Sequence, residues 1–533
     1  MFFKRISGLV FRLLILFLLG LPAVSRAARL ILPVEDDFLK GSILQKGGGP
    51  TGSLLYEGLI TRNTQGGYDG WLAHSWESHD NARVWRFSLV TRATWHDGVP
   101  FTAHDVKFTY DYMTEKQLWL ASVLWMVEKV ECPDDHTVVF RLKRSFPKFL
   151  DRLSHCPGIV IIPRHIWKSI ENPMRYEDQH YIGTGPLQFV KKIPGQFFEM
   201  KPYAGYHGRH CAFSSVVLRH LNNADVQIMA LKSGQIDAMD DLTPWEAAVL
   251  SKEKHIQLAV IPHKRLYELC FNCTKHPTSS PYLRQALAYA VDRKKICRIV
   301  LQDQGRPATT WLMPQLASNC VHKDLFPYAL DLERARSLLK AGGFRWEGNR
   351  LCDNQGNEVR LELLLGGKGK SSINSRMAEM LADGLKQLGI IVELKKADSF
   401  TWFKEARDHH LFIMAMPDLM HDDSDDLTHF QSRSFFGKPN WHGYSNPDYD
   451  RLTAELHETS DTEKRRTLAF AMQELLAAEV PSFAICEADE VIAFRSDRIA
   501  IKEASGSMYG QILDLRTLLA IEPVGMNPVN ADQ

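Results

Sequence analysis

The stretch from His409 to His442 concentrates side chains able to hold a cation: His409, His410, Asp418, His421, Asp422, Asp423, Asp425, Asp426, His429 and His442. Carboxylates there suit a charge-assisted pair with an ammonium group, and imidazoles suit nickel. His409, His410, His421, Asp422, Asp423, Asp425, Asp426 and His429 are also the only material in the chain for a metal-dependent hydrolase. An acidic, solvated loop is the competing reading, because a chain with 63 acids and 21 histidines must crowd some of them by composition alone. Established catalytic patterns are absent: there is no GxSxG elbow, no HExxH, no Walker loop and no strand–GxGxxG–helix. Gly183-Thr184-Gly185-Pro186 fails as a phosphate loop, since no Lys-Ser or Lys-Thr follows and Pro186 lacks an N–H. His96 and His104 read as surface or turn histidines. Cys270 and Cys273 have C-x-x-C spacing but end a strand, and no second such pair exists to complete a zinc site, so they read as structural thiols.

The elements that must position these groups alternate between strand and helix. Leu266–Asn272 has a period of two and reads as a strand; a polar loop follows, then a helix with Ser280 as N-cap, Pro281 at its first position and an apolar stripe of Leu283, Ala286, Leu287, Ala290 and Val291. Asp292–Arg298 places cationic groups in the later turns of that same helix. Thr102 and Asp105 form a capping box. Ala224–Leu231 is a helix ended by Gly234. Helices over 331–344, 371–388 and 465–478 alternate with strands over 359–365, 389–394 and 411–416. The pattern predicts an α/β protein with mixed sheets and no internal repeat.

Length and composition bound the rest. At 533 residues the chain holds two or three core-forming units, and a formal net charge of +1 gives no sign of nucleic-acid binding. Residues 1–27 read as a signal peptide, with Lys4 and Arg5 before the apolar run Leu13–Leu21, then Pro22 and Ser25-Arg26-Ala27. Cleavage removes four positive charges and no acids, leaving −3. With no cysteine at the cleavage point, the product is expected to be periplasmic, soluble and not lipid-anchored, and the nine cysteines, an odd number, leave at least one thiol free.

Several blocks, in order, resemble the family 5 solute-binding proteins of ABC importers. They are Tyr56-Glu57-Gly58-Leu59, Ala93–Met113, Gly183–Pro186, Leu231–Asp237, Phe271-Asn272 with Leu283–Arg293, and Tyr444–Leu452. The resemblance implies a two-lobed periplasmic binding fold of the type II-like, cluster C kind, with a ligand cleft between lobes and no catalysis. It implies lobe I from 28–60, 183–268 and 490–533, an inserted subdomain at 61–182, and lobe II at 269–489. The hinge strands are expected near Leu269–Asn272 and Cys486–Val491, with Val491–Phe494 returning beside Leu266–Phe271.

By the same resemblance, the solute is a short peptide delivered to an inner-membrane ABC permease. Peptide-binding members pair the ligand's ammonium with an aspartate seven residues before an aromatic, with a second acid three residues on; Asp423, Asp426 and Phe430 match, although Leu427 replaces a common proline. Asp418 competes for the role. Tyr56, Trp441 and Trp402 are further ligand-binding candidates; Trp402 also has core spacing with Phe403 and Ala406. The alternative is a nickel chelate, with His442 as the metal ligand. No cofactor is expected, and the protein is expected to be a monomer.

Overall fold

Two long strands organise the molecule. Ile256–Phe271 and Ser482–Arg495 run antiparallel along almost their whole length, from Ile256 opposite Arg495 to Cys270 opposite Ser482. The ladder is irregular between Ile261 and Arg265, where Pro262 has no N–H to contribute. On one side of this break Ile261, Ile492 and Phe494 join one core. On the other, Tyr267, Leu269, Phe271, Phe483 and Ile485 join a different one. The chain thus crosses between two lobes here. The computed structural model describes residues 28–34, 43–44, 49–63, 67–118, 125–154, 160–312, 320–325, 328–365, 371–396, 405–417, 425–433, 440–502 and 515–524.

The second lobe extends the long pair into a mixed sheet. Its order is Ala238–Met239, Ser482–Arg495, Ile256–Phe271, Leu411–Pro417, Arg360–Leu365, Ile391–Lys396, with Gly305–Pro307 also on the Ser482–Arg495 strand. Arg360–Leu365, the helix Ser371–Lys386 and Ile391–Lys396 form a parallel β-α-β unit. Met377, Ala378, Leu381 and Leu385 of that helix share a core with Leu361 and Leu363 of the sheet. A satellite core of Leu427, Phe430, Tyr444, Tyr449, Leu456 and Met472 packs under the helices Pro447–Glu458 and Thr462–Glu479.

The first lobe has two bodies. In one, Arg29–Val34 lies parallel to Ser215–His220, followed by Phe197–Pro202 and Leu187–Ile193. Alternate residues Leu30, Leu32, Val216 and Leu218 face its core, as period-two patterning requires. In the other, an antiparallel sheet orders Ala73–His79, Val84–Leu89, Thr137–Leu142 and Val127–Asp134. Its aromatic core contains Trp85, Phe87, Trp95, Phe140, Phe149 and Trp167. The helix Ala103–Glu115 over that sheet opens with the Thr102–Asp105 capping box.

Several local expectations need correction. The helix after Pro281 is two helices, Pro281–Tyr289 and Arg293–Val300, because Asp292 accepts a hydrogen bond from Lys295 N and starts the second. Ser280 holds the N-cap position without a side-chain cap bond. The lobe crossing precedes Leu269–Asn272: Leu269 and Phe271 are fully buried inside the second lobe, and the cores change between Ile261 and Leu266. Val491–Phe494 lies beside Gln257–Val260, while Leu266–Cys270 faces Glu487–Ser482. His96 is no surface histidine. Its Nδ1 accepts from Gly183 N at 3.2 Å, so its Nε2–H donates to Gly185 O at 3.0 Å, and the neutral ring clamps the Gly183–Gly185 turn. Burial lowers its pKa, in keeping with that tautomer.

Candidate functional site between the lobes

Leu365 and Pro417 end neighbouring parallel strands, and Pro417 pairs with Arg265 at the lobe crossing. The carboxyl ends of these strands therefore lie where the second lobe meets the first, the usual place for ligands on such sheets. Later in the chain comes the 3₁₀ turn Asp425–Phe430, whose Leu427, Thr428 and Phe430 are buried.

The crossing itself is charged. Arg265 Nη2 lies 3.5 Å from Asp241 Oδ1 of the first lobe. Glu487 is fully buried and pairs with Arg306 at 2.7 Å. Glu268 is buried beside Ser482, and that burial pushes its carboxyl up to about 7. A cavity of about 20 Å³ here is walled by both lobes, including Leu242, Pro244, Gln304, Ile373 and Ala488, and is large enough for one water. Beside it, the Arg376 guanidinium of the second lobe sits 4.6 Å from the Trp245 ring of the first.

The predicted ligand residues divide into three groups. Asp418, Asp423 and Trp402 lie outside the described residues, as does most of the 366–372 loop. Asp426 has its backbone in the 3₁₀ turn. The others are packed within the lobes. Tyr56 is fully buried in the first lobe and donates from its hydroxyl to Asp178 Oδ2 at 2.9 Å, so it supports the fold and offers no surface to a solute. Trp441 packs half-buried against Cys270, Leu364, Ala406 and Phe412 inside the second lobe. His442 is 3 % exposed and stacked between Phe412 and Phe430, at centroid distances of 5.9 and 5.0 Å. Neither ring nitrogen has a hydrogen-bond partner, and burial lowers the pKa to about 3, with His429 adding to the shift. Phe412 is the second residue of its strand, so His442 sits toward the end of that strand opposite the crossing. Among the described residues no group of three or more His, Cys, Asp or Glu side chains is placed to hold a metal. Among the described residues, Cys132, Cys211, Cys270, Cys273, Cys297, Cys352 and Cys486 are free thiols.

Other polar residues shape the lobes and were not singled out by spacing. Glu57 is fully buried; its Oε1 accepts from Tyr206 at 3.1 Å, and burial pushes its pKa up to about 8. Arg284 is 4 % exposed and donates to the carbonyls of Thr278, Ser279, Glu479 and Val480, tying the end of the Thr462–Glu479 helix to the loop before Pro281. Both lie within quoted sequence blocks, but nothing in their spacing marks them as buried.

Residues 67–440 match the family described as bacterial extracellular solute-binding proteins, family 5 Middle. A curated relative, the "Probable D,D-dipeptide-binding periplasmic protein DdpA" of Escherichia coli, is 27% identical over 257 residues, covering 47% of this chain and 50% of that protein. The glutathione-binding protein GsiB of Salmonella choleraesuis is 25% identical over 293 residues, 54% of this chain and 56% of its own. The chain thus spans about half the length of the curated relatives it matches. Among solved structures, NikZ from Campylobacter jejuni in complex with Ni(L-His) superposes with a TM-score of 0.81 at 22% identity, covering 93% of this chain and 99% of that one. DppA from Helicobacter pylori in complex with the peptide STSA gives 0.77 at 18%, covering 93% and 98%. With the matched segment spanning both lobes and the crossing strand Ile256–Phe271, the chain belongs to the family 5 bacterial extracellular solute-binding proteins.

Proposed function

We propose that this protein captures short peptides between its lobes and presents them to an inner-membrane ABC permease. The observation that carries the reading is that Pro417, which directly precedes the acid-rich stretch 418–424 in the sequence, pairs with Arg265 at the crossing, while Leu427, just after it, is buried in the satellite core. We assign the pairing with the peptide's ammonium group to an aspartate of that stretch, Asp423 or Asp418, because a carboxylate and an ammonium make a strong charge-assisted pair. The dipeptide- and glutathione-binding relatives support a peptide solute. Closure around the ligand shifts the population toward the closed form. In this reading lobe I comprises 28–60, 183 to about Pro262, and 490–533; 61–182 is its inserted subdomain; lobe II runs on to 489. Residues 1–27 direct export to the periplasm, where the protein acts as a monomer without catalysis.

Calorimetry with free-amino tripeptides tests the proposal. Asp423→Asn, or Asp418→Asn, weakens tri-alanine by about tenfold or more, the scale of a charged hydrogen bond; unchanged affinity in both variants would sink the assignment. The nickel-chelate alternative rests on His442, whose unpartnered nitrogens fit a metal ligand but whose stacked position inside the second lobe does not. Metal analysis of tag-free protein incubated with nickel and histidine decides between them.

A further inference from the structure

The lobes also touch far from the long strands. In the first lobe's inserted body, the segment Arg144–Phe146 is held rigidly: Ser145 Oγ donates to Asn81 O at 2.7 Å and Phe146 N donates to Ala82 O at 3.3 Å. Asn81 and Ala82 form a tight turn with φ of 50° and 59°. Trp125 stands edge-on to Phe146 at 6.1 Å and carries the Arg144 guanidinium over its ring at 4.9 Å. Against this platform comes the last turn of the second lobe's Pro447–Glu458 helix. Glu458 Oε1 accepts from Arg144 Nη1 at 3.1 Å, and the His457 ring packs on Phe146 at 5.5 Å, with His457 only 4 % exposed.

We infer that Arg144 and Glu458, backed by the tilted Phe146–His457 ring contact, form a latch that sets how much of the protein is closed, and so act as positioning residues for solute capture. Neither flanking core includes a residue of the two long strands, so the contact is packed independently of the crossing, and it is lost when the lobes part. Both partners are built in advance. Arg144 is fixed by Trp125 within its own lobe, and Glu458 ends a helix whose Tyr449 and Leu456 are fully buried. An interaction made only in the closed state shifts population toward it, and apparent ligand affinity follows the closed fraction. The Trp245–Arg376 contact lies beside the crossing and has less leverage on opening.

The inference rests on the closure assumed for solute capture, and the test separates the two. Fluorophores attached by click chemistry at exposed positions 128 and 464 report the separation of the two bodies, with and without saturating tri-alanine. Arg144 and Glu458 have side chains 41% and 52% exposed, so reversing their charges leaves the folded core intact. Arg144→Glu is expected to lower the closed fraction, and with it tri-alanine affinity, by about fivefold, near the upper end for such a pair. Arg144→Glu combined with Glu458→Arg restores both toward wild type, which loss of fold could not do. A distribution indifferent to the single reversal, a double variant that stays open, or a wild type that never shows the closed separation would overturn the latch. Tri-alanine that fails to bind while the ligand-free distribution responds to Arg144→Glu would instead sink the peptide reading and leave the latch standing.

Discussion

Glu57 and His442 are buried single residues whose charge states run opposite ways with pH. Glu57 holds its proton up to about pH 8 in the folded protein, against 4.5 for the free side chain, because burial disfavours the carboxylate. Between those values the folded state binds more protons than the unfolded one, so stability falls as pH rises. Glu57→Gln is expected to flatten the decline in urea midpoint between pH 5 and 8. A residual slope of the same sign remains from Glu268, whose carboxyl is pushed up to about 7. His442 resists protonation down to about pH 3, against 6.5, so stability is lost as pH falls through that window. Replacing it by phenylalanine keeps the stack with Phe412 and Phe430 and removes two unpartnered nitrogens. His442→Phe should therefore stabilise the fold by about 1–2 kcal/mol at pH 5, measured by chemical denaturation; a loss of that size would mean that the nitrogens have a function. The sequence presented His442 as a candidate metal ligand because spacing reveals residue type and order, not the two rings that sandwich it.

Elements were legible where their signals are local. The Thr102–Asp105 capping box opens its helix as read, the helix from Ala224 ends within a residue of expectation, and the one from Leu332 starts one residue late and ends at Ala341, three residues early, just before Gly342. The break between Tyr289 and Arg293 was missed although its signal, Asp292 as an N-cap, was present, because the apolar stripe continues through Val291. The register of Val491–Phe494 was missed for a different reason. Pairing between strands some 230 residues apart depends on where Pro262 interrupts the ladder, which no local window contains. Arg284 is also a tie between elements distant in sequence. Arg284→Met keeps its volume but leaves four carbonyls without their donor, and should lower unfolding free energy by about 3 kcal/mol in urea titration. A change under about 0.5 kcal/mol would mean that water replaces the guanidinium at no cost.

For the whole molecule, the ordered sequence blocks carried the two-lobed architecture, and the paired long strands with separate cores on either side express it. The solute was less legible, because a peptide cleft is assembled from loops that leave several strands, and sequence order does not show which acid stands at the lobe crossing. The most direct measurement of the central claim is calorimetric titration of the wild-type protein with tri-alanine and with N-acetyl-tri-alanine. The account predicts that the free-amino peptide binds and that acetylation, which replaces the ammonium with a larger neutral amide, weakens it by about a hundredfold or more, as for a charged hydrogen bond lost from a desolvated site. Equal affinity for the two peptides, or no binding of either, would contradict it.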